Sequence, residues 1–110
     1  MYPGSGSIEE QMTPVSCAPV TEFDLAQSNW FNCLVGTIVS GISLPNPKVG
    51  KYSLLLTHDE NGPHTMTNWP SNILWRDEAY DTGSAASSVD VVTLFYDGSN
   101  FLADFIRGFH

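Results

Sequence analysis

Tyr52-Ser53-Leu54-Leu55-Leu56-Thr57 is the most strand-like segment of this 110-residue chain. It is too short for a typical globular helix, and its Leu54-Leu55-Leu56 run reads as a strand buried on both sides. Behind it, Asp59-Glu60-Asn61-Gly62-Pro63 reads as a hairpin turn, Asn-Gly being the strongest short-range hairpin signal. Residues 65–69 are then the returning strand. Ahead of it, Pro45-Asn46-Pro47 stops any ladder, because proline has no N–H to donate. Further strands are expected over 17–25, 30–34 and the second half of 36–44, and over 73–75 after the Pro70-Ser71-Asn72 corner. Val89, Val91 and Thr93 alternate with Asp90 and Val92 before Leu94-Phe95-Tyr96. Asp97-Gly98-Ser99-Asn100 makes another turn, and residues 101–106 close the domain.

The composition agrees. Val, Ile and Thr supply 21 residues, whereas the helix-favouring or strand-depleted Ala, Glu and Lys supply 13. Gly, Pro, Asn, Asp and Ser number 42 and gather between the apolar runs. Seven or eight short strands with regular punctuation predict a single all-β domain, an antiparallel β-sandwich or barrel. The domain is expected over 15–110, after an arm at 1–14. The stretch Tyr2-Pro3-Gly4-Ser5-Gly6-Ser7 is polar and glycine-rich, and Tyr2, Ile8 and Met12 are the anchors by which the arm would become ordered on a neighbouring subunit.

Charge narrows the partners. Twelve acids against four bases give a net charge of −8 with no basic cluster, which argues against nucleic acid and anionic membrane. The first twelve residues lack the basic start and apolar stretch of a secretory signal. Cys17 and Cys33 permit one disulfide, and in the absence of a visible leader they read as two reduced thiols packed as small core residues.

Candidate sites are few. His58-Asp59-Glu60-Asn61-Gly62-Pro63-His64 sets two imidazoles and two carboxylates around one turn, a donor set suited to a divalent cation only if the groups converge. With no further ligand in sight it reads as a solvated turn, as does the acidic loop of Asp77, Glu78 and Asp81. Gly4-Ser5-Gly6-Ser7 lacks the strand-to-helix elbow of a hydrolase serine. The sequence therefore names no catalytic residue, no cofactor and no metal. Trp30, Trp69, Trp75, Tyr52, Tyr80 and Tyr96 would suit either a core or a platform for sugar rings.

The order of motifs from about Val20 onward resembles a small β-domain of tailed-bacteriophage structural proteins. Matching stretches include Phe23-Asp24-Leu25, Asn29-Trp30-Phe31, Ile42-Ser43-Leu44-Pro45-Asn46-Pro47 and Gly50-Lys51-Tyr52-Ser53-Leu54-Leu55-Leu56-Thr57. The most specific part is the Trp69-Pro70-Ser71…Trp75 corner followed by the Val89-Asp90-Val91…Tyr96-Asp97-Gly98 hairpin. Departures are His58, where that family has Gln, an extra Asn68, and Arg76-Asp77-Glu78-Ala79-Tyr80 in place of a Gly-Gly-x-x-Pro loop.

The resemblance implies a jelly-roll or tail-knob-like sandwich in a virion, without chemistry. Tyr52, Leu54, Leu56, Trp69, Val91, Phe95 and Tyr96 would be its motif and core positions. A fibre protein needs a shaft and an attachment region, for which a chain of this length has little room. The expectation is therefore a homotrimeric decoration (cement) protein bound to the major capsid protein on the outer head surface, made in the host cytoplasm. The alternative is a tail fibre, knob or receptor-binding module that touches tail proteins or host glycan through Trp75, Arg76, Asp77, Glu78 and Tyr80.

Overall fold

The computed structural model describes residues 12–110. Eight strands form: β1 (Thr13–Cys17), β2 (Val20–Glu22), β3 (Trp30–Val35), β4 (Gly41–Ser43), β5 (Gly50–His58), β6 (Ile73–Trp75), β7 (Val89–Tyr96) and β8 (Phe101–Phe109). Six of them join in one sheet in the order β1-β3-β5-β7-β8-β6, while β2 and β4 pair separately. The fold is all-β, with no helix among the described residues.

The long strands arise where the side chains alternate. In β5, Tyr52, Leu54, Leu56 and His58 point to one face and are buried. Phe31, Cys33 and Val35 of β3 lie level with Leu54, Leu56 and His58, and Leu94, Val92 and Asp90 of β7 lie opposite Tyr52, Leu54 and Leu56. These residues form the inner face. It is covered by β2, β4 and long loops, which contribute the buried Phe23, Leu25, Val39, Ile42, Leu44, Met66 and Tyr80. Phe23 meets Phe31 edge-on at 5.6 Å between ring centroids, which ties the cover to the sheet.

The pairing is mixed, which corrects the expectation of a purely antiparallel sandwich. β1, β3 and β5 run parallel, β7 is antiparallel to β5 and β8, and β6 is parallel to β8. The cause is winding between layers. The chain passes from β1 to β2, back to β3, out to β4 and back to β5. Residues 18–29 and 36–49 thus provide the crossover of a dozen or more residues that parallel neighbours require. Pro19 sits where the chain changes layer, and its carbonyl accepts from the N–H groups of Ser40 and Gly41 at 2.8 and 3.2 Å. It divides the strand expected over 17–25 into β1 and β2.

The hairpin expected at 59–63 is also corrected. A turn exists there, with the Gly62 N–H donating to the Asp59 carbonyl at 3.0 Å. Both edges of β5 are already occupied by β3 and β7, however, so the following chain crosses to the cover layer, where Met66 bridges Val39. The turn at 97–100 does join paired strands: the Asp97 carboxylate accepts from the N–H groups of Ser99 and Asn100 at 2.9 and 2.7 Å. Those bonds hold its carboxyl below the ordinary range. At the N-terminus the sheet begins two residues before the expected boundary, since Thr13 and Pro14 pair with Phe31 and Asn32. Tyr2 and Ile8 lie outside the described residues, and Met12 is half-buried just ahead of β1.

Cys17 and Cys33 form a disulfide between β1 and β3, with their Cα atoms 5.8 Å apart. This corrects the reading of two reduced thiols. The register places Cys17 two residues beyond Val15, the partner of Cys33, on the same buried face. Oxidised protein denatured without reductant should therefore expose no alkylatable thiol. Reduction, or Cys17→Ser with Cys33→Ser, should lower unfolding stability by about 3 kcal/mol, the loop-closure contribution of a crosslink spanning 16 residues. Denaturant melts of the oxidised and reduced protein measure the difference.

Candidate functional site

The alternation that fills the core also sends a second set of side chains outward, and nothing among the described residues covers that outer face. Register arranges it in rows across the strands. Leu74, Leu102, Phe95 and Lys51 form one row, and Asp104, Thr93, Ser53 and Trp30 the next. Ile106, Val91, Leu55, Asn32 and Pro14 form the third. Phe109, Val89, Thr57, Leu34 and Ser16 form the last. Exposure is 52% at Leu74, 45% at Leu102 and 41% at Phe95, which adjoin one another in the first row, and 61% at Ile106 and 62% at Leu34 in the rows beyond.

At one end of this face lies an open concavity of about 540 Å³, lined by Lys51, Leu74, Arg76, Phe95, Leu102 and Asp104 among others. Arg76 Nη1 donates to Asp104 Oδ2 at 3.4 Å, an exposed ion pair of small energetic weight. The two bases of the lining stand out in a chain that has four in all.

The loop expected to face a partner behaves differently. Arg76, Asp77 and Glu78 are exposed, but Tyr80 is completely buried, which removes it from any glycan-facing or partner-facing surface. The Trp75 ring packs edge-on against Trp69 at 5.2 Å and Phe105 at 6.0 Å, and Tyr80 meets Phe105 at 5.4 Å. Trp69 Nε1 donates to the Tyr80 carbonyl at 2.7 Å. The fully buried Tyr80 and the partly buried Trp69 and Trp75 therefore pack against the core rather than form a sugar platform.

Tyr80 is the centre of a buried polar chain that sequence reasoning missed. The His64 backbone N–H donates to His58 Nδ1 at 3.2 Å, which leaves the ring proton on Nε2. His58 Nε2 lies 2.8 Å from Tyr80 Oη, to which it donates. Tyr80 Oη in turn donates to Asp90 Oδ2 at 2.6 Å, and Asp90 Oδ1 accepts from the Gly108 N–H at 2.9 Å. His58, Tyr80 and Asp90 are each 0% exposed, so every bond counts. Burial holds the imidazole of His58 below its ordinary value, against the pull of Asp90. Burial, then the hydrogen bond to Asp90, pushes the Tyr80 phenol well above its ordinary range.

Two glycines make this possible. A Cβ on Gly83 would stand 2.5 Å from His58 Nε2, and Gly108 takes φ +89° at the bulge where its N–H turns to Asp90. The bulge also folds Arg107 back over the Phe105 ring at 4.6 Å. Both ring nitrogens of His58 are thus committed within the fold, while His64 Nε2 bonds Asp59 Oδ1 at 2.8 Å and lowers the Asp59 pKa. The lone acid in the Val89–Tyr96 run was the only sequence sign of this network.

Of the expected motif and core positions, Tyr52, Leu54 and Leu56 are buried, and Trp69 and Tyr96 are partly buried against the core. Val91 and Phe95 are corrected: both lie on the outer face, because their register partners Leu55 and Lys51 do. Leu55 itself is half-buried there, so the leucine run is covered fully on one side only. Comparison with protein families, curated proteins and solved structures finds no match to this chain.

Tyr80→Phe should lower unfolding stability by about 2 kcal/mol, since it strands both the His58 Nε2 proton and Asp90 Oδ2. The pH dependence has a definite sign. A histidine whose folded pKa is depressed adds nothing unfavourable above about pH 6.5, and stability falls as the unfolded chain gains a proton the native state refuses. Melting temperature should therefore decline from pH 7 to pH 5. Asp59, depressed by His64, adds a further loss only below about pH 4. His58→Gln, which can donate to Tyr80 but cannot titrate, should be less stable at pH 7 yet show a flatter decline. An equal slope in both proteins would assign the decline elsewhere.

Proposed function

We propose that this protein is a bacteriophage virion structural protein, a homotrimeric decoration protein that binds the major capsid protein on the outer surface of the head and stabilises it. The observation that carries the reading is the uncovered apolar face of the six-stranded sheet. Five interstrand gaps make it about 24 Å wide, and three spacings between its four rows make it about 20 Å long, so the whole face, its polar Lys51, Ser53, Thr93, Asp104, Asn32, Thr57 and Ser16 included, offers about 480 Å². That lies within the size of the largest patch on a typical monomer and below one partner's share of a standard interface. Its covering by sister copies gives a thin two-layer domain the burial it lacks alone.

Three further features support the reading. The motif order described above runs through most of the chain and resembles that of small virion β-domains of the jelly-roll or tail-knob type. The Cys17–Cys33 disulfide suits a protein whose working life is spent outside the cell. Among the described residues, nine of the ten acids lie off the lining of the outer-face concavity and of these only Asp90 is buried, so a trimer of three chains at −8 keeps most of that charge toward solvent. The protein works by occupying surface, without catalysis or cofactor.

Sedimentation should give three times the 12.0 kDa chain mass for the wild type. Phe95→Ser with Ile106→Ser should yield monomers with nearly unchanged unfolding stability, because both side chains are exposed in the single chain. Leu54→Ala, in contrast, should cost 2–5 kcal/mol, on the order of other buried leucine truncations. Imaging of particles should find the protein spread over the shell, and a location confined to the tail tip would refute the decoration role.

A further inference from the structure

The buried polar chain responds to a proton differently at its two ends. At one end His58 Nε2 donates to Tyr80 Oη at 2.8 Å, and Asp90 Oδ2 stands 3.6 Å from the same nitrogen. A charged imidazole keeps that donor and gains the facing carboxylate. At the other end Nδ1 accepts from the His64 backbone N–H at 3.2 Å. An added proton occupies the lone pair that this bond uses, so two N–H groups then point at each other. Acid therefore cuts the chain at His64 and spares it at Tyr80.

What His64 holds decides what moves. Its carbonyl accepts from the Gly83 N–H at 3.2 Å and from Thr82 Oγ1 at 3.4 Å. Thr65 bridges Thr82, and the Met66 N–H donates to the Asp81 carbonyl at 2.9 Å. The turn at 59–64 and residues 81–83 are thus joined, and both lie against the His58 ring, Gly83 so closely that no side chain would fit. The His64 ring stacks on that of His58 at 6.1 Å between centroids, while its Nε2 bonds Asp59 Oδ1 at 2.8 Å. From β8, Arg107 lies 5.5 Å over the Tyr80 ring, 3.8 Å from Asp81, and donates through Nε to the Thr82 carbonyl at 3.2 Å. From β3, the apolar Val35 lies level with His58.

We propose that the bond from the His64 N–H to His58 Nδ1 is an acid-released latch: proton uptake by His58 breaks it, and the turn at 59–64 opens together with residues 81–83 while the sheet and the Tyr80–Asp90 bond stay in place. Such an opening breaks the few bonds named above and is a smaller event than unfolding. Its sign follows from proton binding. Burial holds the closed His58 ring below its ordinary value, Asp90 and Asp59 pull the other way, and the His64 charge adds to the lowering. The opened ring, in water, takes a proton more readily. The latch is therefore fully closed above about pH 6.5 and loosens as pH falls below it.

Hydrogen exchange of the wild type at pH 7 and pH 5, corrected for the intrinsic effect of pH, tests this segment by segment. Protection over 59–66 and 81–84 should fall at least about tenfold in acid, while that of β3 and β7 changes less than about twofold. His58→Gln, which takes up no proton, should abolish the fall. His64→Gln, which keeps the backbone N–H, should retain most of it. Nitrogen NMR of the wild type at pH 7 should find the His58 proton on Nε2 and Nδ1 bare, a readout that needs no variant to fold. An equal loss of protection across the sheet, an unchanged fall in His58→Gln, its disappearance in His64→Gln, or a proton on Nδ1 would each overturn the latch. None of these results bears on the trimer, which a mass measurement decides separately.

Discussion

Burial of the inner side of β5 is the constraint from which the other elements take their places. Tyr52, Leu54, Leu56 and His58 need partners level with them on both sides, and the inward residues of β3 and β7 meet that need. Because strands alternate strictly, the same pairing commits Lys51, Leu55, Phe95 and Val91 to the opposite face. The remaining described residues cover one face. The chain spends residues 18–29 and 36–49 on that cover, which also makes β1, β3 and β5 parallel. That the outer face is bare among the described residues is thus a consequence of how the core was closed.

Inside, the His58–Tyr80–Asp90 chain does what apolar packing cannot. It fixes one arrangement of the loop at 76–88 over the sheet, because each polar atom has its partner and would be stranded in any other register. The aromatic set of Trp69, Trp75, Tyr80 and Phe105 then packs edge to face around that anchor. Rigidity on this side leaves the outer face preformed, which limits the ordering cost of any association there.

The strands that dominate the sheet were readable from alternation and turn chemistry: β3, β5, β7, most of β8 and the Asp97–Asn100 turn. What alternation does not encode is which strand lies beside which. Asn61-Gly62 is a strong hairpin signal, yet a local turn cannot pair strands whose edges are already taken. Core and outer positions were confused in β7 for a related reason: Val91 and Phe95 are as apolar as Val92 and Leu94, so both faces look buried from composition alone. Tyr80 and His58 looked like loop and turn residues, since polar groups buried against one another leave no mark in a single sequence. The cysteine pairing depended on β1 lying beside β3, a contact created only by the layer-to-layer winding.

In the proposed trimer sister copies cover the outer face, and carbene footprinting of the intact protein addresses this side chain by side chain. Phe95, Leu102 and Ile106 should be protected at high concentration and become reactive on dilution, while the exposed Val20, Ile38 and Val49 of the other layer react equally throughout. Labelling of Phe95, Leu102 and Ile106 as heavy as that of Val20 at every concentration would contradict it.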